Sequence, residues 1–270
     1  MKPERTQPAR TLASLQKRRA AGRAIVALTA YDSLMASWLA ECAVDFLLVG
    51  DSLGNVIAGH ATTLPVTMDQ MTYHTGLVVR GARGVPVVAD MPFLSYEISP
   101  AEAVRNAGRL VKEAGASGVK VEGCMAIEAV RSMVAARIPV LGHTGLKPQT
   151  VLQMGGYKVQ GGTRAAAAQI RREALALQAA GVFALVLECV PAALAARLTA
   201  ELAVPTIGIG AGPGCDGQIL VTHDLLGWTE QPKKFVKPYA DFRRSAQAAV
   251  TTFACDVQAG RFPDARHSFR

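Results

Sequence analysis

The sequence predicts an α/β protein whose parallel strands close into a (β/α)8 barrel. Eight short apolar runs recur along the 270 residues, each separated from the next by a segment of helical period, which is the pattern of repeated βαβ units. Most of these runs are apolar throughout, as in strands covered on both faces. Eight such units are the number that closes a barrel, and a chain of this length is enough for one. An open doubly wound sheet would show the same alternation, because strand order is not written in the sequence. The reading is a single barrel domain over 1–270, with a basic segment and capping helix at 1–23 and a C-terminal helix at 241–260.

Thr11 can cap a short helix, TLASLQKRRAAG, closed by Gly22. Its thin stripe of Leu12, Leu15 and Ala20 suits the covering of one end of a larger body. The first strand is AIVALTA (24–30), followed by Tyr31 and by Asp32, an N-cap for SLMASWLAECA. FLLVGDS (46–52) is the second strand and LGNVIAGHATTLPVT a long loop after it; loops of this length inside compact domains usually carry function. Thr67 caps a helix to about Gly81. VPVVAD (85–90) is the third strand, and Ser99-Pro100 with Glu102 opens a helix that ends near Gly115. GVKVEG (118–123) precedes a helix from about Ala126 to Ala136. IPVLGH (138–143) leads into the longest loop, TGLKPQTVLQMGGYKVQGG, and then a helix over 164–180. FALVLE (183–188) is followed by Pro191 and the helix AALAARLTAELA. VPTIGIG (204–210) and QILVTHD (218–224) flank the Gly-rich turn AGPGCDG.

Composition narrows the function. Half the residues are hydrophobic and 6% are aromatic, so the core is aliphatic. No apolar run approaches the ~18 residues of a membrane span. The opening MKPERTQPAR leads into no apolar signal core, and supports neither a secretory signal nor, with any strength, a mitochondrial presequence. Cys42, Cys124, Cys189, Cys215 and Cys255 are odd in number, widely spaced and without a CxxC pair. That pattern fits a reducing cytoplasm better than a disulfide framework or a zinc site. The formal net charge is +8, but it is unevenly distributed. Seven Lys or Arg against one acid lie up to Arg23, and eight against three from Gln231 onward, so the chain between is net acidic. Basic termini without interleaved aromatics or a nucleic-acid motif suit solubility or subunit contacts, and no nucleic-acid partner is expected.

The polar residues that end the strands carry the functional argument. Alone, Asp51 reads first as a helix N-cap or a turn residue after a strand. Yet Asp90, Glu122, His143 and Glu188 end other apolar runs in the same way, and in a barrel all these ends share the face that carries the chemistry. Three carboxylates brought together repel unless a cation lies among them. Two Asp and a Glu are hard oxygen ligands, which suits Mg2+ better than zinc. Lys120 shares an inward face with Glu122 and needs an anion, either one of these acids or a bound one. Glu188, on a wholly apolar strand, is desolvated and placed for general-base work; a supporting carboxylate is the plainer reading. His143 could polarise a carbonyl, ligate metal or be a satisfied structural group. GIGAGPG resembles a phosphate-binding turn, but tight turns also require Gly.

The motifs VGDSLG, LPVT with YHT, VVADMPF, VKVEG, GH-GL-PQ, GGYKVQG, LVLECVP and IGIGAG-CDGQ-LV-HD, in that order over roughly 10–240, resemble the ketopantoate hydroxymethyltransferase family. The resemblance implies a barrel of the phosphoenolpyruvate mutase and isocitrate lyase group. It also implies transfer of a hydroxymethyl group from 5,10-methylenetetrahydrofolate to 3-methyl-2-oxobutanoate, giving ketopantoate for pantothenate and coenzyme A. It implies Mg2+, a cytoplasmic location and a homo-oligomer, commonly a decamer. By matching motif, Asp51, Asp90 and, directly or through water, Glu122 are metal ligands. Ser52 and Lys120 bind the substrate carboxylate, His143 lies beside the bound ketoacid, and Glu188 is the catalytic base. Thr144, Lys147 and Cys124 depart from the commonest family pattern. The competing readings are another metal-dependent lyase or mutase of the same barrel group, though the KKCGH signature of isocitrate lyases is absent, and a non-catalytic scaffold.

Overall fold

The computed structural model describes residues 10–123, 127–154, 156, 158–230 and 233–269. Residues 1–9 of the basic segment, Cys124, the expected helix start at Ala126, Gly155 and Tyr157 of the longest loop, and linker residues 231 and 232 lie outside that set. The described chain forms two compact units, Met1–Val221 and Thr222–Arg270.

In the first unit the elements follow in the order α1 Ala13–Ala20, β1 Ile25–Thr29, α2 Ser33–Ala40, β2 Phe46–Val49, α3 Leu53–Val56, α4 Met68–Gly81, β3 Val87–Asp90 and α5 Pro100–Gly108, the last continued by a π-helical turn to Glu113. Then come β4 Gly118–Glu122, α6 Ile127–Ala135, β5 Val140–Gly145, a 3-10 turn at Pro148–Thr150, α7 Val151–Met154, α8 Arg164–Ala179, β6 Ala184–Glu188, α9 Ala192–Glu201, β7 Thr206–Ile209 and β8 Gly217–Leu220. The eight strands form a closed barrel in sequence order. Every neighbouring pair is parallel, and β8 pairs back onto β1. Closure removes the open-sheet alternative.

Side-chain alternation sorts the strands into two cores. Ile25, Ala27, Phe46, Leu48, Val88, Leu141, Ala184, Val186, Ile207 and Ile219 fill the barrel interior, and Leu15 of α1 belongs to that cluster. Leu47, Val49, Val87, Val119, Val121, Leu185 and Leu187 point outward into the layer beneath the helices. The N-terminal helix is therefore the expected cap: Leu15 packs with Ile25, the first residue of β1, and its burial is worth about 2 kcal/mol.

The local rules that place the helices hold. Asp32 Oδ1 accepts from Met35 N at 2.7 Å to start α2. Thr67 and Gln70 cap one another at α4, and Ser99 accepts from Glu102 N ahead of Pro100 at α5. Several boundaries moved, and α3 and the 3-10 turn with α7 stand in the two segments expected to be loops. The fifth strand runs two residues past His143, to Gly145, and the eighth stops at Leu220, where a helical turn begins at Thr222. The Gly-rich turn after β7 is explained by packing. A Cβ at Gly214 would lie 2.8 Å from Ala196 Cβ, and one at Gly212 would overlap Ala192, so the turn lies directly on α9.

The second unit holds α10 Thr222–Leu225 and α11 Phe242–Gln258. His223 stacks on Trp228 and Trp228 tilts against Phe242, at centroid distances of 4.7 and 4.4 Å. Asp241 caps α11 by accepting from Arg244 N.

Candidate active site

The carboxyl ends of β2 through β6 bring the sequence-predicted residues together, and strand register explains how. Asp90 is level with Lys120, Glu122 with His143, and Gly145 with Glu188. Lys120 and Glu122 share the inward face of β4, because two residues along a strand restore the same direction. Asp51 sits just beyond β2, where its N–H donates to Asp90 Oδ2 at 3.0 Å. It caps no helix: the N-cap position of α3 is Ser52, and Ser52 makes no side-chain cap bond. Instead, Ser52 Oγ lies 2.9 Å from the hydroxyl of buried Tyr31 at the end of β1.

The side chains form a row of alternating charge. Lys120 Nζ donates to Asp90 Oδ1 at 2.7 Å and lies 3.7 Å from Glu122 Oε1. His143 Nδ1 is 3.4 Å from Glu122 Oε1, and its Nε2 is 3.4 Å from Glu188 Oε2. All are buried except Glu188, whose side chain keeps 14% exposure. Burial, with Asp90 and Glu122 close by, pushes the Asp51 carboxyl up to about 8. Burial also raises Asp90 although Lys120 opposes it. Burial would raise Glu122 too, but His143, Lys120 and the Gln149 N–H outweigh it and hold this carboxyl low. Burial would lower His143, yet Glu122 and Glu188 on either side carry it up to about 9. Burial likewise works against the charge on Lys120, and three surrounding acids more than restore it.

These residues fit a hard divalent cation held by two carboxylates. Asp51 and Asp90 are adjacent, the Asp51 N–H donating to Asp90 Oδ2 at 3.0 Å, and burial raises both carboxyls. Among the described residues no three His, Cys, Asp or Glu side chains form a metal-holding cluster by themselves. Glu122 is separated from the Asp pair by the Lys120 ammonium, and its Oε1 is buried without a hydrogen-bond partner. Mg2+ is commonly bound through one or two carboxylates, with water and ligand oxygens completing the octahedron.

Four residues with no role assigned from the sequence belong to the site. Gln149, within the quoted GH-GL-PQ motif, bonds to both Asp51 and Glu122. Tyr96 bonds to Gln149 and to the Glu122 backbone. Tyr31 supports Ser52. Glu173 of α8 accepts from Thr144 at 2.7 Å and from Lys147 at 3.3 Å, so two of the positions that depart from the family pattern share one buried partner. A Tyr at a strand end was visible for Tyr31; the others come from loops or a helix whose approach only the fold sets.

The family model for ketopantoate hydroxymethyltransferase matches residues 9–265. The chain belongs to the ketopantoate hydroxymethyltransferase family. It is 53% identical over 262 residues to the 3-methyl-2-oxobutanoate hydroxymethyltransferase of Moorella thermoacetica, covering 96% of this chain and 97% of that protein. It is 55% identical over 250 residues to the enzyme of that name from Syntrophus aciditrophicus, at 92% of each. Such relatives place this family member among the enzymes. Solved structures extend the likeness in fold alone. A phosphoenolpyruvate phosphomutase from Streptomyces platensis matches with a TM-score of 0.64 at 16% identity, over 93% of this chain and 88% of that one. A 2,3-dimethylmalate lyase, a member of the PEP mutase/isocitrate lyase superfamily, matches with 0.59 at 18% identity, over 95% and 91%. A phosphonopyruvate hydrolase in complex with oxalate and Mg2+ matches with 0.62 at 13% identity, over 95% and 92%. These likenesses agree with the expected (β/α)8 barrel fold.

Proposed function

We propose that this family member transfers the one-carbon unit of 5,10-methylenetetrahydrofolate to 3-methyl-2-oxobutanoate, producing ketopantoate for pantothenate and coenzyme A synthesis. The observation that carries the reading is the gathering of Asp51, Asp90 and Glu122 around one buried lysine, with Glu188 set apart beyond His143. Such an arrangement has an anion-stabilising end and a proton-removing end. Asp51 and Asp90 would hold Mg2+, and Glu122 would reach it through water.

When bound, Mg2+ supplies Lewis-acid polarisation of the substrate's keto oxygen. Lys120 and Ser52 bind the carboxylate, and the Tyr31 hydroxyl orients Ser52. Glu188 removes the C3 proton; the C3–H electron pair becomes the C2–C3 double bond and the carbonyl π pair moves onto the keto oxygen. His143, between Glu188 and Glu122, holds the base in place. The methylene carbon of the donor exchanges its two bonds to the folate nitrogens for one to C3 and one to the oxygen of water; the C3 proton and one water proton pass to those nitrogens, and tetrahydrofolate leaves. We also propose a cytoplasmic homo-oligomer, a decamer in subunit number, with these small molecules as its partners; among the described residues no helix is long and apolar enough to cross a membrane.

The test is exchange of the C3 proton of 3-methyl-2-oxobutanoate in D2O, followed by proton NMR. Exchange should require Mg2+ and be lost in Glu188→Gln. Metal-independent exchange, or exchange at full rate in that variant, would overturn the assignment. Product formation without the folate donor would point to lyase or mutase chemistry.

A further inference from the structure

We infer that Gln149 is a positioning residue that fixes the Asp51 and Glu122 carboxylates for the cation. The inference rests on the metal reading above and concerns what holds its ligands. Gln149 is 5% exposed and sits in the 3-10 turn Pro148–Thr150, outside the strand that carries His143. A residue so placed in a surface loop would ordinarily face water. Here every polar atom of its side chain is spent inside the barrel mouth.

The bonding leaves the amide one orientation. Nε2 donates one hydrogen to Asp51 Oδ2 and the other to the Met91 carbonyl, each at 2.9 Å. Oε1 accepts from the Tyr96 hydroxyl at 2.9 Å. That hydroxyl accepts in turn from Glu122 N at 3.1 Å. The Gln149 backbone N–H, in the first turn of its helix and thus without a helical acceptor, donates to Glu122 Oε2 at 3.1 Å. A flipped amide would set its oxygen against a carboxylate and a carbonyl, so the acceptors decide which end is NH2. The side chain thus ties the ends of β2 and β3 to the loop after β5, and the backbone N–H of the same residue ties in the end of β4.

The consequence is a fixed geometry for the two acids. Asp51 Oδ2 is held by the amide and Glu122 Oε2 by the turn, so neither carboxylate rotates freely about its last bond. Glu122 Oε1 is the buried oxygen with no hydrogen bond, facing Lys120 and His143 at 3.7 and 3.4 Å. Outer partners of this kind orient metal ligands and set their basicity. A Glu at 149 would add another acid to a site already strained by repulsion, and a Met would fill the same volume while orphaning the acceptors.

The test uses the full-length protein without substrate and Mn2+ as probe, with free Mn2+ read by electron paramagnetic resonance. Gln149→Met should weaken Mn2+ binding by about 10- to 100-fold, the range typical for lost outer partners of metal ligands. Tyr96→Phe, which keeps Gln149 but loses the bond that orients it, should weaken binding by a smaller factor. Thr67→Ala, destabilised at a distant helix cap, should keep wild-type affinity. Wild-type affinity in folded Gln149→Met would overturn the inference. Should that variant not fold, wild-type affinity in Tyr96→Phe would overturn it instead. Failure of the wild-type protein itself to bind Mn2+ would overturn the metal reading together with this one.

Discussion

Lys120 Nζ lies 2.7 Å from Asp90 Oδ1, with side-chain exposures of 7% and 3%. This pair is the hinge of the charge row, because the same ammonium also faces Glu122. A buried ion that loses its partner costs far more than the intact pair contributes. Lys120→Met should therefore destabilise the protein by about 3–5 kcal/mol. The double variant Lys120→Met/Asp90→Leu should recover a large part of the loss. Urea unfolding of the four members of the cycle measures the coupling, and simple additivity would contradict the pairing.

Without metal, stability should fall as pH rises from about 6.5 to 9. His143 titrates near 9 in the folded chain against an ordinary 6.5. A raised value means the folded state favours the proton, so this contribution is complete below 6.5 and is lost as pH passes 9. Asp51, at about 8 against 3.8, has the same sign and loses its contribution from pH 3.8 up through 8. Thermal midpoints in EDTA should decline across the shared window, and His143→Gln should flatten the upper part. Added Mg2+ should reduce the decline by removing the repulsion felt by Asp51. A flat profile in EDTA would contradict the shifts.

Gly145 holds the end of β5 against the end of β6. Its φ is +98°, and a Cβ there would overlap the Glu188 carbonyl oxygen. Gly145→Ala should cost about 1–3 kcal/mol in backbone strain and displace the segment that carries Glu188. C3 proton exchange should drop further than the loss of folded protein explains. Comparing exchange rate with calorimetric stability at one temperature separates the two effects.

Lys147 and Thr144 converge on Glu173 of α8, which is 8% exposed. Lys147→Met leaves this acid with Thr144 and Gln169 as partners. Loss of a hydrogen bond to a charged group is worth about 1.5–3 kcal/mol, and chemical denaturation should show a loss in that range. Lys147→Met/Glu173→Gln should restore most of it.

Much of this molecule was legible before its fold was seen, and the legible part has a common physical character. The apolar runs ending at Asp51, Asp90, Glu122 and Glu188 are local signals, since burial on both faces of a strand forces continuous hydrophobicity. Ser99-Pro100 and Thr67 with Gln70 announce helix starts in the same local way. The inward direction of Lys120 followed from its two-residue spacing to Glu122. The extent of β5 was misjudged, because Thr144 and Gly145 are strand residues only by pairing with β6. Gln149, Tyr96 and Glu173 carry no strand-end signal, and the bonds that bring them to Asp51, Thr144 and one another span 29 to 98 residues.

The sequence by itself determined the eight-fold alternation, the acids at the strand ends and the family to which the chain belongs. All three are written in residue type and spacing, which periodicity and motif order preserve. The tertiary structure alone decided that β8 pairs with β1 and that Ser52 leans on Tyr31. It also decided that Lys120 stands between Asp90 and Glu122, and that His143 faces Glu122 and Glu188 together. The reason is that charge, desolvation and hydrogen-bond geometry act over a few ångströms in space, and those distances exist only once the barrel has closed.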